Sequence, residues 1–512
     1  MKKILKQTIF CAVFLSGFLV WGNALADTHT AASCENKTGQ VDVQDAVDLA
    51  AEGDIVAIPA GTCTWEEELT IDKGITIKGS GKTQTIIKHG LTTNGAAVAL
   101  IKFLGMTSDM SPIVSDIGFV VDTSSAVGFM GGLIFISAAS NTEYSTSFRI
   151  HDCDFTSSRL ASGSRFINIY GVYGLIDNNT FTFTPTSTYT VQGITVYGTS
   201  ASGGDLGAAA WGRAIEYNSP NAVYIENNTF TWGFLSDGAY DAAAGARVVF
   251  RYNNVIGTNI GTHGRASGGH YGTLFNEIYN NNFSSSFTIY RGTTLASGTG
   301  VVHDNMYDSH YTATINFIHR RACADCASAG CISMENDGCA QWSCGSVVGD
   351  GTTYATITNY PDSPTYITDW SCTEAGVLNG LHGWGRCNGT NKLDGNSDST
   401  GWPCASQVGT SGSNYITSAP MYLWSNYKVD VLSNGTVAGD GCTNPSASDH
   451  IKNERDYYDN GTTPKSGYVA YTCPHPLAGA GSCDDGVAGT EGYNAISDDT
   501  IAPASPSGLT VS

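Results

Sequence analysis

Ile176-Asp177-Asn178-Asn179-Thr180-Phe181 is the stretch whose reading decides the fold, because it comes back. It recurs as Ile225-Glu226-Asn227-Asn228-Thr229-Phe230, Tyr252-Asn253-Asn254-Val255-Ile256, Ile278-Tyr279-Asn280-Asn281-Asn282-Phe283 and Val302-His303-Asp304-Asn305-Met306-Tyr307. An earlier copy, Ile150-His151-Asp152-Cys153-Asp154-Phe155, carries Cys in place of Asn. With Cys153, Asn179, Asn228, Asn254, Asn281 and Asn305 as the repeating position, the steps are 26, 49, 26, 27 and 24 residues. The step of 49 is two turns. A period in the twenties with a short strand in each unit is that of β-helix coils. Asn tolerates the left-handed backbone of a sharp corner between strands. Stacked Asn side chains also hydrogen-bond along the axis as a ladder. Leu is sparse and no helix separates the strands, which disfavours a leucine-rich repeat.

Upstream, Val43, Ala46, Val47 and Ala50 recur at helical spacing before Gly53, which predicts a short amphipathic helix over 43–51. Ile55 to Cys63 reads as one strand closed by a Pro-Gly turn, followed by Leu69-Thr70-Ile71 and Gly74-Ile75-Thr76-Ile77-Lys78-Gly79. A helix placed there covers an open apolar end, and solenoids need such caps. Cys34 and Cys63 are candidates to staple it, although disulfide connectivity is not legible in the sequence.

The run GDIVAIPAGTCTW…LTIDKGITIKGSG (residues 53–81) resembles the opening of pectate-lyase-like right-handed parallel β-helix proteins. The resemblance covers about 40 residues. It implies an all-β, single-stranded solenoid with an N-terminal cap helix. It implies little about chemistry, since that superfamily holds lyases, hydrolases, isomerases and catalytically dead binders. Neither the paired-Arg lyase signature nor the polygalacturonase motif set occurs, so no catalytic residue carries over. The organisation expected is a signal peptide over 1–26, a capped β-helix over 27–320, Cys-rich loops and C-terminal coils over 321–490, and a tail over 491–512. Strands are expected to resume at Met421–Asn426 and Lys428–Val431. The run RDYY…GY…CPHPL (455–477) looks like the C-terminal end of secreted bacterial β-helix proteins of uncharacterised function. The tail resembles the entry to a fibronectin type III domain.

Lys2, Lys3 and Lys6, the apolar run from Ile9 to Trp21 and Ala24-Leu25-Ala26 form the pattern of a secretory leader. A membrane anchor is disfavoured, because the run is short of the ~20 residues a span needs. The expected location is secreted or at the cell surface, with no membrane span in the mature chain. Of 15 Cys, eleven fall between Cys323 and Cys483, which in an oxidising compartment reads as disulfides. Cys323-x2-Cys326 has no second pair to complete a zinc site. The formal net charge is −21, which argues against nucleic acid as a partner and permits divalent cations. Assembly state is not legible.

In a β-helix a site is assembled across coils, and the Asn column sets the register from one coil to the next. Nine residues past it lie Asp237, His263 (with Arg265 two further on) and Tyr290, followed by Arg291. Asp241, His270 and Glu277 are nearby. These types suit β-elimination on a uronic-acid polymer. Arg265 or Arg291 would neutralise the sugar carboxylate, His263 would be the base and Tyr290 the acid. Asp237, Asp241, His270 and Glu277 would bind substrate, and Asp237 or Asp241 could hold Ca2+ through oxygen ligands. Hydrolysis would need paired carboxylates flanking the bond, and no close acidic pair stands in the repeat. The expected partner is an extracellular polysaccharide, with non-catalytic binding, adhesion or a structural role as the alternative.

Overall fold

The computed structural model describes residues 26–318, apart from 94, 123–129, 142–146, 159–162, 185–190, 203–206, 234–237 and 265–270. Beyond 318 it describes 371–373, 377–379, 408–412, 417–426, 431–433, 451 and 453–479. Among these residues the chain is all-β, with long parallel sheets that fit a parallel β-helix.

Successive coils stack short strands, in parallel, into long sheets. A 12-stranded sheet runs from Thr28–Thr30 to Tyr457–Asp459, with nine-stranded and six-stranded sheets beside it. In the 12-stranded sheet, Ile150 pairs with Ile176, Ile176 with Ile225, Ile225 with Phe250, Phe250 with Ile278, and Ile278 with Val302. Side chains alternate across a strand, so a fixed register stacks like on like inside. In the nine-stranded sheet Phe155, Phe181 and Phe230 stack with ring centroids 4.8 and 4.7 Å apart. All three are fully buried. A short strand at Ile260–Gly261 continues the six-stranded face, since His263 N–H donates to the Ala242 carbonyl.

The expected helix is Asp42–Leu49, with Val43, Ala46 and Val47 in the main core cluster. Cys34 and Cys63 form a disulfide with Cα atoms 5.8 Å apart. The single strand expected over 55–63 is two, Ile55–Ala57 and Gly61–Trp65. They belong to different sheets, because Pro59 sits at the corner between them.

The two adjacent Asn of each repeat divide the work. The first residue takes the left-handed corner: Asp152, Asn178, Asn227, Tyr252, Asn280, Asp304 and Ser425 all have φ between 49° and 57°. The second forms the ladder. Asn179 Nδ2 donates to Asn228 Oδ1 (3.1 Å), Asn228 to Asn253 (3.2 Å), Asn253 to Asn281 (3.1 Å), Asn281 to Asn305 (2.9 Å) and Asn305 to Asn426 (2.9 Å). Each Oδ1 also accepts the backbone N–H of the preceding ladder residue, beginning with Cys153. The column therefore holds Asn253, not Asn254, and Tyr252 takes the corner.

Asn305 and Asn426 are 121 residues apart in sequence yet adjacent in the ladder. Met421–Trp424 stacks on Thr299–His303, as the resumed coil requires. The segment expected to be Cys-rich loops separates these two strands in sequence. Most of it lies outside the described residues.

The ladder assignment is testable by urea unfolding. Asn253→Ala removes a buried amide and leaves its partners unsatisfied, with an expected loss of roughly 1–3 kcal/mol. Asn254 is half-exposed, and Asn254→Ala is expected to stay within about 0.5 kcal/mol of the parent. The reverse order of effects would put Asn254 back in the ladder.

Candidate functional site

The outer face of the six-stranded sheet carries a continuous polar row. Register pairs Asn168 with Thr195 and Thr195 with Asp241, and pairs Arg165 with Gln192. From these positions a chain of hydrogen bonds crosses four successive coils. Arg165 Nε donates to Gln192 Oε1 at 3.0 Å, Gln192 Nε2 donates to Asp241 Oδ2 at 2.6 Å, and His263 Nε2 lies 2.9 Å from the same oxygen. Arg165 Nη1 also donates to the Met130 carbonyl at 2.8 Å, and Thr195 Oγ1 to Gln192 Oε1 at 3.2 Å. The Asp241 side chain is 11% exposed and that of His263 35%, so the imidazole is the accessible end of the row. With the Nε2 proton directed to Asp241, Nδ1 is the ring's acceptor.

Tyr170 and Tyr197 stack beside this row with centroids 4.5 Å apart and planes 9° apart. Burial holds both phenols above their ordinary range. Both are therefore neutral phenols at neutral pH, able to donate and accept hydrogen bonds.

Two of the eight residues singled out from sequence meet on this face, Asp241 and His263. Asp237, Arg265 and His270 lie outside the described residues. Tyr290 and Arg291 stand together elsewhere, with the Arg291 guanidinium 5.1 Å from the Tyr290 ring centroid. They precede Thr293–Leu295, and Thr293 pairs with Ile260. Arg291 is thus level with Thr258, five residues before His263, or roughly 16 Å along the strand at ~3.3 Å per residue. The count of nine does not bring them together, because the corner segments differ in length from coil to coil.

Glu277 belongs to a different face. It is on the outside of the 12-stranded sheet, where Tyr468 Oη donates to its Oε2 at 2.6 Å. Residues 460–479 run back over this sheet. The Tyr471 and Thr472 carbonyls accept from Arg251 at 2.7 and 2.9 Å, and His475 N–H donates to Glu226 Oε1 at 2.9 Å. Arg251 and Glu226 form a fully buried pair beneath. Burial pushes the Glu277 carboxyl up to about 7, against the opposing pull of the Tyr468 hydroxyl and of Arg251 and Arg247.

The sequence reading missed Arg165, Gln192, Tyr170 and Tyr197. A signal for the first two existed. Arg165, Gln192 and Asp241 follow Cys153, Asn179 and Asn228 by 12, 13 and 13 residues. A count of 12–13 rather than nine would have found the row.

Among the described residues, no group of three or more His, Cys, Asp or Glu side chains converges as a metal site, and no helix is long and apolar enough to cross a membrane. The leader expected over 1–26 lies almost wholly outside those residues.

No family model matches the chain, and no curated protein matches it. Among solved structures, ORF18 of Geobacillus virus E2 aligns at 14% identity with a TM-score of 0.23, covering 54% of this chain and 57% of that one. The chain thus spans less than two thirds of that protein's length. Similarity at this level carries no argument about fold or activity.

The raised Glu277 carboxyl has a pH consequence. The folded state keeps its proton up to about pH 7, while the unfolded chain releases it near 4.3. Stability from this group is therefore lost as pH rises between those values. Glu277→Gln removes that loss, so the variant is expected to gain on the parent by on the order of 2–3 kcal/mol between pH 5 and pH 8. A parallel pair of stability curves would place the carboxyl in its ordinary range.

Proposed function

We propose that this chain is an exported right-handed β-helix of the pectate-lyase-like kind that engages an extended extracellular polysaccharide along its six-stranded face. The observation that carries this reading is the Arg165–Gln192–Asp241–His263 row, with one side chain from each of four successive coils. A polymer laid along the axis meets a new polar group at every rung, about 4.8 Å apart. A compact ligand would have no use for that repetition. The Tyr170–Tyr197 pair adds aromatic surface of the kind sugars pack against.

If the site is catalytic, β-elimination on a uronic-acid polymer suits its groups. His263, oriented by Asp241, takes the proton beside the sugar carboxylate. The freed electron pair forms the new carbon–carbon double bond as the bond to the glycosidic oxygen breaks. That oxygen takes a proton from a phenol such as Tyr197. Arg165 supplies positive charge for the carboxylate. Ca2+ enters this reading through Asp237 and Asp241. Since Asp241 Oδ2 already holds Gln192 and His263, a cation there would replace one of them.

The second reading is non-catalytic binding at the cell surface. It is favoured by the engagement of Arg165 and Asp241 with their neighbours and by the distance of Tyr290 and Arg291 from His263.

The test uses the full mature chain on immobilised pectate, alginate and glycosaminoglycans. Retention is expected on at least one, with Gln192→Ala and Asp241→Ala each weakening it about tenfold, equivalent to about 1.4 kcal/mol. Undiminished retention in both variants would move the ligand off this face. Ultraviolet absorbance of an unsaturated uronide, lost in His263→Ala, would make the protein a lyase. Retention with no such product would make it a binder.

A further inference from the structure

Four arginines beside the outer face of the 12-stranded sheet invite comparison. Arg149 closes its Nε/Nη2 edge on Asp177, with bonds of 2.9 and 2.7 Å. Arg251 sets the same edge on Glu226 Oε2, with Nε donating at 2.7 Å and Nη2 2.6 Å from that oxygen. Arg455 does so on Asp456, at 3.1 and 2.6 Å. That edge carries two parallel N–H groups, the fork that matches a planar carboxylate or a sulfate or phosphate face.

Arg247 departs from the pattern. Its side chain is 2% exposed. Nη1 donates to the Ala214 carbonyl at 2.5 Å, and the guanidinium stands 5.3 Å from the Phe275 ring centroid. Among the described residues, neither Nε nor Nη2 makes a hydrogen bond. Glu216 approaches Nη2 at 3.8 Å, beyond hydrogen-bond range. Its Oε2 instead accepts from Asn221 Nδ2 at 2.7 Å and Ser219 Oγ at 3.3 Å. Glu216 is 43% exposed, so it is a loose cover rather than a closed pair.

A second cation stands close by. Arg213 donates to the Tyr173 hydroxyl at 2.7 Å and to the Asn141 carbonyl at 3.4 Å. Its charge joins burial in making the Arg247 cation less favourable. Both arginines are held by the segment 207–222, which rests on the tight corner at Gly245 (φ 76°), where a Cβ would meet the Ala210 Cβ at 2.5 Å. Arg247 thus faces one half-exposed carboxylate that has other partners, in a chain of net charge −21. A buried donor pair without hydrogen-bond acceptors requires an explanation, and burying it costs free energy.

We propose that the Nε/Nη2 edge of Arg247, with Arg213 beside it, is a receptor for a ligand oxyanion, which displaces the Glu216 carboxylate and accepts both N–H groups. The chemistry is that of a carboxylate, sulfate or phosphate, free or carried on a polymer. The site is distinct from the His263 row and does not rest on the polysaccharide reading.

Calorimetry and thermal unfolding of the full chain in sodium glucuronate, sulfate and phosphate, against chloride at equal ionic strength, test it. Saturable binding by an oxyanion, unmatched by chloride, is expected. Arg247→Gln should abolish it, Arg213→Gln should weaken it several-fold, and Glu216→Gln should tighten it several-fold by removing the competitor. Asp241→Ala should leave it unchanged, which separates this site from the lateral face. Tighter binding of an oligoglucuronate than of glucuronate would assign the anion to a polymer, and equal binding would assign a free ion. Responses identical to chloride, or binding that survives Arg247→Gln, would overturn the proposal. Should Arg247→Gln fail to fold, an unchanged affinity in Glu216→Gln overturns it equally.

Discussion

A buried side-chain amide needs partners for its oxygen and both its protons, and in this protein the neighbouring coils supply them. Asn228 illustrates the constraint. Its Oδ1 accepts from the Asn179 backbone and side chain, while its Nδ2 reaches Asn253 Oδ1 and the carbonyls of Ile176 and Glu226. A coil displaced by one residue would leave such an amide buried and unsatisfied, and would turn the phenylalanine stack outward. The ladder therefore fixes register, and register fixes every outward column, including the one from which Asp241 projects.

The same stacking explains how ionisable groups come to be buried on an outer surface. A bare β-helix face is open to water, yet Arg251 and Glu226 are both sealed. The chain's own residues 460–479 cover them and supply carbonyls and an N–H to complete their bonds. Tyr468 does the same for Glu277 and packs edge-on to His303 and Trp424, which stack on each other at 4.1 Å. Arg149, Arg251 and Arg455 each set the Nε/Nη2 edge on a carboxylate. Arg247, 2% exposed, does not, and this contrast within one chain makes the exception informative.

The fold was legible because its determinants are local and repeat. An apolar residue, a left-handed corner, a ladder amide and an inward aromatic fall within six consecutive residues, so each copy announces itself. Where two Asn stand together after Tyr252, the letters could not say which one enters the ladder. A tyrosine in the left-handed region is uncommon enough to have pointed the wrong way. The candidate face was half legible for a related reason. Asp241 and His263 were identified, but counting from the Asn column assumes coils of equal length, and corner segments such as 198–222 break that assumption.

By itself, the sequence determined the class of architecture, the resumption of strands at Met421 and two members of the polar row. These follow from residue type and spacing within one or two coils. Tertiary structure alone decided that Arg165 and Gln192 complete the row, that Tyr290 and Arg291 stand apart from it, and that Glu277 lies under a segment 191 residues away. Such pairings depend on which coil lies against which and on how far each corner carries the chain. Those quantities come from packing the whole solenoid, and no single stretch of letters contains them.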